Sequence, residues 1–228
     1  MRMKASLLIF LLVTPVAAAP MPAVVELFTA QGCSSCPPAD QLLGELAGRS
    51  DVLALAYHVD YWDRLGWTDR FSSADATARQ RLYAKSMGLG SIYTPQMVVD
   101  GDKDLIGSDR PAVLAALKGA RDGIVPAIRN ENGHLHVALP ASGALSAELT
   151  LVAFQREAET KVARGENAGK TLREFAIVRS ARSLGSWDGA AKDIDVDLAA
   201  LPPGCSDAAI LIQKSKAGAV IGAARIPI

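Results

Sequence analysis

The chain has 228 residues, half of them hydrophobic, and its 24 basic side chains balance its 24 acidic ones. No basic stripe marks a nucleic-acid binder, and no basic amphipathic helix marks a membrane surface. The length suffices for a leader followed by two small domains, or by one domain and an extension.

Residues 1–19 read as a secretory signal peptide. Arg2 and Lys4 supply the positive start, Ala5 to Val13 the apolar run, and Val16-Ala17-Ala18-Ala19 the small residues for cleavage. Pro20 disfavours a cut after Ala19, so a cut after Ala18 is expected. The apolar run is short for a bilayer span. The expectation is a periplasmic or secreted protein with no stable membrane insertion after cleavage.

Next comes a short apolar strand, Ala23 to Thr29, which leads into Cys33-Ser34-Ser35-Cys36-Pro37-Pro38. A helix over about 36–47 follows, with Leu42, Leu43 and Leu46 at helical spacing and Gly48 near its end. Val52 to Tyr57 reads as a buried strand. Ser72 or Ser73 caps a second helix that Gly88 and Gly90 stop. Gln96 to Val99 is a third strand, and Asp100 to Lys103 a hairpin turn into a short fourth strand near Leu105. Ser108 or Asp109 then caps a helix over Pro111 to Ala120.

This β-α-β-α-β-β-α order is that of a thioredoxin-like domain, expected over 20–122. Beyond Gly123 the texture changes. Leu135, Val137 and Leu139 alternate with polar or small neighbours, as do Ile194, Val196 and Leu198. Ala208 to Gln213 and Ala219 to Ile226 look like two strands joined by a turn. The expected class is therefore α/β: a thioredoxin-like domain followed by a β-rich, sandwich-like extension over 123–228, packed on it.

The cysteine pair carries the chemistry. Two thiols three positions apart on a first helical turn close a disulfide without backbone movement, and N-terminal N–H groups stabilise a thiolate there. Cys33 is the expected nucleophile and Cys36 the resolving thiol. Glu26, polar within an apolar strand, or Asp40, four residues after Cys36, is the expected proton relay. Thr94-Pro95 enters the third strand at the edge where the cysteines emerge, and a cis bond is expected there. The segment from His58 to Arg70 shares that edge. Its Tyr61, Trp62 and Trp67 either form a substrate rim opposite Thr94-Pro95 or plug the helix–sheet seam.

Arg164-Gly165-Glu166-Asn167-Ala168-Gly169-Lys170-Thr171 imitates a phosphate-binding loop, but its glycine spacing is one residue short. It reads as a polar hairpin loop. Cys205 is left over, either buried and free or available for mixed disulfides.

Glu26-Leu27-Phe28-Thr29-x-Gln31-Gly32-Cys33-Ser34-Ser35-Cys36-Pro37-Pro38-Ala39-Asp40 resembles an exported thioredoxin-like family catalogued as domain of unknown function 1223. His58-Val59-Asp60-Tyr61-Trp62-Asp63-x-x-Gly66-Trp67, Tyr93-Thr94-Pro95-Gln96 and Arg164-Gly165-Glu166-Asn167-x-Gly169 extend the resemblance over nearly all of the chain beyond the leader. It implies a thioredoxin-like fold with a β extension and no established activity.

Three functional readings stand. The first is a thiol–disulfide oxidoreductase without cofactor or metal, acting on protein or small-molecule disulfides with a redox partner. The second is a soft-metal module in which both thiolates and His58 hold copper. The third is a non-catalytic interaction protein with a structural disulfide.

Overall fold

A computed structural model describes residues 20–228, so the expected signal peptide lies outside the described residues. Strand β1 (Ala23–Thr29) and strand β2 (Val52–His58) pair in parallel, from Ala23 opposite Val52 to Thr29 opposite His58. Every residue of both is buried, as expected of parallel strands covered on both faces. Helix α1 (Pro37–Ala47) buries Ala39, Leu42, Leu43 and Leu46.

Helix α2 (Ala74–Met87) starts where the Ser73 side chain accepts the Ala76 N–H, and stops at Gly88 in the left-handed region, φ 69°. Its buried face includes Arg79, Gln80 and Tyr83, so polar groups fill a seam that leucines fill under α1. Strand β3 (Gln96–Val99) runs antiparallel to β1, and β4 (Lys103–Ile106) forms the sheet edge. The turn between them needs glycine at 101. Its φ is 74°, and a Cβ there would lie 2.3 Å from the Gly218 carbonyl oxygen. Helix α3 (Arg110–Ala116) is capped by Asp109 and ends four residues earlier than expected, with Leu117 as its C-cap.

The second half contains β5 (Ala127–Glu131), β6 (His134–Leu139), β7 (Ala147–Lys161), β8 (Thr171–Trp187), β9 (Lys192–Asp197), β10 (Asp207–Gln213) and β11 (Val220–Pro227). Strands β7 and β8 form a hairpin of 15 and 17 residues. The sequence did not reveal them at that length. Bulges at Leu149/Thr150 and Ala153/Phe154 break the two-residue alternation, and their distal ends are charged.

Strand β8 lies parallel to β2, with Ile177 opposite Ala56. One eight-stranded mixed sheet results, in the order β11-β10-β7-β8-β2-β1-β3-β4. The second half therefore continues the first sheet rather than only packing on it. The sandwich character is local: a three-stranded sheet, β5-β6-β9, encloses Leu135, Val137, Leu149, Leu151, Ile210 and Ile212 against the outer strands. No helix among the described residues is long and apolar enough to cross a membrane.

Candidate redox site

The chain leaves β1 through Ala30-Gln31-Gly32, and Cys33 and Cys36 are joined in a disulfide, their Cα atoms 5.4 Å apart. Cys36 caps α1 through its carbonyl, which accepts the Ala39 and Asp40 N–H groups. Pro37 and Pro38 carry no N–H, so fewer first-turn donors face a Cys33 thiolate than its position alone implies. Both cysteines are fully buried, while Ser34 and Ser35 between them are exposed.

The Thr94–Pro95 bond is cis. Trp62 bridges this segment to the cysteines. Its indole N–H donates to Thr94 Oγ1 at 2.8 Å, and its Cβ sits where a side chain at Gly32 would meet it at 3.4 Å. Trp67 turns the other way and donates to Gln31 Oε1 at 2.8 Å. Tyr61 is half-buried beside them. The two indoles thus each hold a hydrogen bond beside the cysteine turn, Trp62 to the Thr94-Pro95 segment and Trp67 to Gln31.

A polar cluster lies on the α1 face of the sheet. Thr29 and His58 are register partners, so their side chains point to the same face. His58 Nδ1 bonds Asp69 Oδ2 at 2.7 Å and lies 3.9 Å from Glu174 Oε1. Gln31 closes the cluster: its backbone N–H donates to Asp69 and its side-chain amide to Glu174 and Thr160. Burial alone disfavours the imidazolium. The Asp69 charge and hydrogen bond, backed by Glu174 and Asp40, outweigh it and raise the His58 pKa to about 9. Asp40, on the next turn after Cys36, responds in the opposite sense. Burial pushes its carboxyl up to about 7, against the pull of His58 and the Thr29 hydroxyl, with Glu174 and Asp69 adding to the rise. One edge of Asp40 opens on a groove between α1 and β8 lined by Pro37, Pro38, Gly44 and Phe175.

His58, Asp69 and Glu174 each bring a ligand-capable atom within 4.8 Å of the others. The carboxylate oxygens already accept from Gln31 or share the His58 Nδ1 proton, while the buried His58 Nε2 has no hydrogen-bond partner among the described residues. The copper set of two thiolates and His58 requires the disulfide to be reduced first.

The hairpin loop between β7 and β8 reaches across the cysteines. Asn167, fully buried, donates both amide hydrogens, to the carbonyls of Gln31 (3.0 Å) and Cys33 (2.9 Å). Glu166 accepts the Ser34 N–H at 3.0 Å, and Lys170 donates to Asn167 Oδ1. A side chain on Gly165 would meet Trp67 Cβ at 3.3 Å, so this glycine permits the close approach. The loop read as a polar hairpin turn is therefore a cover over the disulfide. The signal was in the sequence: a polar Arg-Gly-Glu-Asn run carrying glycines at set spacing. Asn167→Ala removes two hydrogen bonds worth about 1 kcal/mol each. It is expected to speed reduction of the disulfide by dithiothreitol about tenfold or more, and to lower the unfolding midpoint by several degrees. An unchanged reduction rate would refute the covering role.

Glu26 is positioned away from this chemistry. Side chains three apart on a strand point to opposite faces, so Glu26 turns to α2 while Thr29 turns to α1. Its carboxylate is held bidentately by Arg79 and accepts from Tyr83 Oη at 2.6 Å. Of the two expected relay carboxylates, only Asp40 lies on the cysteine side. Cys205, partly buried at the entry to β10, lies near Arg179, and burial raises its thiol pKa.

A family model described as "Protein of unknown function (DUF1223)" matches residues 24–213. The crystal structure of protein AGR_C_4864 from Agrobacterium tumefaciens is 30% identical and superposes with a TM-score of 0.80, over 92% of this chain and 96% of that one. HBP35 of Porphyromonas gingivalis, at 12% identity, shares the fold with a TM-score of 0.60, over 93% of this chain and 77% of that one. No functionally curated protein matches the chain.

Proposed function

The chain belongs to the family described as a protein of unknown function (DUF1223), a description that assigns no chemistry, and from its site we propose an exported thiol–disulfide oxidoreductase. One observation carries the reading: a Cys33–Cys36 disulfide at a helix start, one turn from the carboxyl of Asp40, whose pKa burial raises to about 7. A group titrating near neutrality both takes and returns a proton at working pH.

In the reduced protein the Cys33 thiolate attacks one sulfur of a substrate disulfide. The substrate S–S bond breaks, the other substrate sulfur leaves as thiolate, and a mixed disulfide forms. Cys36 then gives its proton to Asp40 and attacks Cys33, and the second substrate sulfur leaves. Two electrons pass to the substrate, whose thiolates take up the protons. A dithiol-bearing redox partner returns Cys33 and Cys36 to the reduced state by the reverse exchange. Thr94 pairs with the extended substrate backbone. Trp62 couples that segment to the cysteine turn, with Tyr61 and Trp67 flanking it. The substrate disulfide, on a protein or a small molecule, reaches Cys33 when the 162–170 loop lifts.

A second reading has its own support, because complete burial of both cysteines suits a permanent structural bond. The potential separates the two: a value below about −300 mV favours the structural bond, a higher one exchange. Cys33→Ser is expected to abolish exchange with a model dithiol–disulfide pair while preserving the fold. Equal rates for wild type and variant would end the catalytic reading.

A further inference from the structure

We propose that the outer face of the three-stranded sheet binds a divalent transition-metal ion through His134, His136 and Asp195. The site is independent of the cysteines. Two of the chain's three histidines stand here, two positions apart on β6. Leu135, Val137 and Leu139 point inward and are buried, so strand alternation turns both imidazoles outward. On β9, Val196 is buried and Asp195 faces out, directly across from His136 and diagonal to His134.

The three side chains converge. His134 Nδ1 lies 2.7 Å from Asp195 Oδ1, and His136 Nδ1 lies 2.7 Å from Asp195 Oδ2. The two rings lie 24° from parallel with centroids 6.3 Å apart. An imidazole nitrogen that donates to a carboxylate binds a cation once it gives up that proton. The groups now sharing protons are therefore a donor set of two imidazole nitrogens and one carboxylate. Ligand bonds of about 2.0–2.2 Å require the nitrogens to draw together around the ion. The side chains are 40–51% exposed, which leaves them room to turn and leaves open positions for water.

The surrounding charge has the right sign. Asp193 and Asp197 flank Asp195 on the same outward face, and Glu131 of β5 is the register partner of His134. The facing cation, Arg129, is itself paired with Glu131 at 3.2 Å. Two imidazoles select Cu2+, Ni2+ or Zn2+ over Mg2+ or Ca2+, which take oxygen shells, and Cu2+ ranks first among the three. The buried His58 cluster differs, because protein donors already occupy its oxygens and it is closed to solvent.

The test uses the full untagged chain in its disulfide form and in a Cys205→Ser background, so that no free thiol competes. Titration with Cu2+ and Zn2+ against a chromophoric chelator is expected to find one ion per chain. His134→Ala, His136→Ala and Asp195→Asn should each weaken binding about tenfold or more, and the double histidine variant should abolish it. Saturating ion should raise the unfolding midpoint of the parent and leave the double variant unmoved. Absence of binding, or equal affinity in the parent and the double variant, would overturn the site.

Discussion

Replacing Arg79 with methionine is expected to lower stability by about 3–5 kcal/mol, read as a reduced urea midpoint at pH 7. The guanidinium is nearly buried and serves several partners. It holds both Glu26 oxygens, donates to Gln213 Oε1 at 2.9 Å and to the Lys216 carbonyl at 3.2 Å, and lies over the Tyr57 and Tyr83 rings. Removing it strands the Glu26 carboxylate in the interior and unties α2 from β10. Glu26→Gln is expected to be destabilising too, yet to leave disulfide exchange per folded molecule unchanged, because the sheet separates it from the cysteines. A Glu26→Gln protein with normal stability and slow exchange would restore Glu26 as the proton relay.

Asp40→Asn should slow exchange about a hundredfold and flatten the rate–pH profile around pH 7, where the wild type changes protonation. The same substitution has a stability signature of definite sign. The folded carboxyl holds its proton up to about pH 7, whereas the unfolded one releases it near 3.8. The folded state therefore binds more protons across that window, and stability falls as pH rises through it. Asparagine removes this decline, so the variant should match the wild type near pH 4 and exceed it at pH 8. His58 acts in the same direction higher up. Its pKa is raised from 6.5 to about 9, so its contribution is complete below about pH 6.5 and lost as pH climbs through 9. That upper decline should persist in Asp40→Asn. A variant with unchanged rate and unchanged pH profile would remove Asp40 from the mechanism.

Local signals located the cysteine turn because they act over a few residues. A buried β1, the Cys-x-x-Cys spacing, the proline-started α1 and the Ser73-capped α2 each follow from neighbours along the chain. Glu26 and Asp40 looked equivalent for the opposite reason. Which of them shares a face with the disulfide depends on strand alternation meeting the placement of α1 and α2. The partners Asp69, Glu174 and Thr160 were not legible, since they join His58 and Gln31 from distant segments. The β7–β8 hairpin escaped for a physical reason as well: bulges interrupt its two-residue period, and its distal end carries charged side chains, one of them the buried Glu174.

The sequence by itself determined the element order from β1 to α3, the position of the thiols at a strand-to-helix junction and the proline opposite them, all set by periodicity, capping and backbone restriction. Only the tertiary structure decided that β8 joins β2 to make one sheet, and that Asn167 covers Cys33 from 134 residues away. It likewise decided that Asp195 lies between two histidines of another strand. Contacts of that range are fixed by strand register and loop packing, which no local pattern encodes.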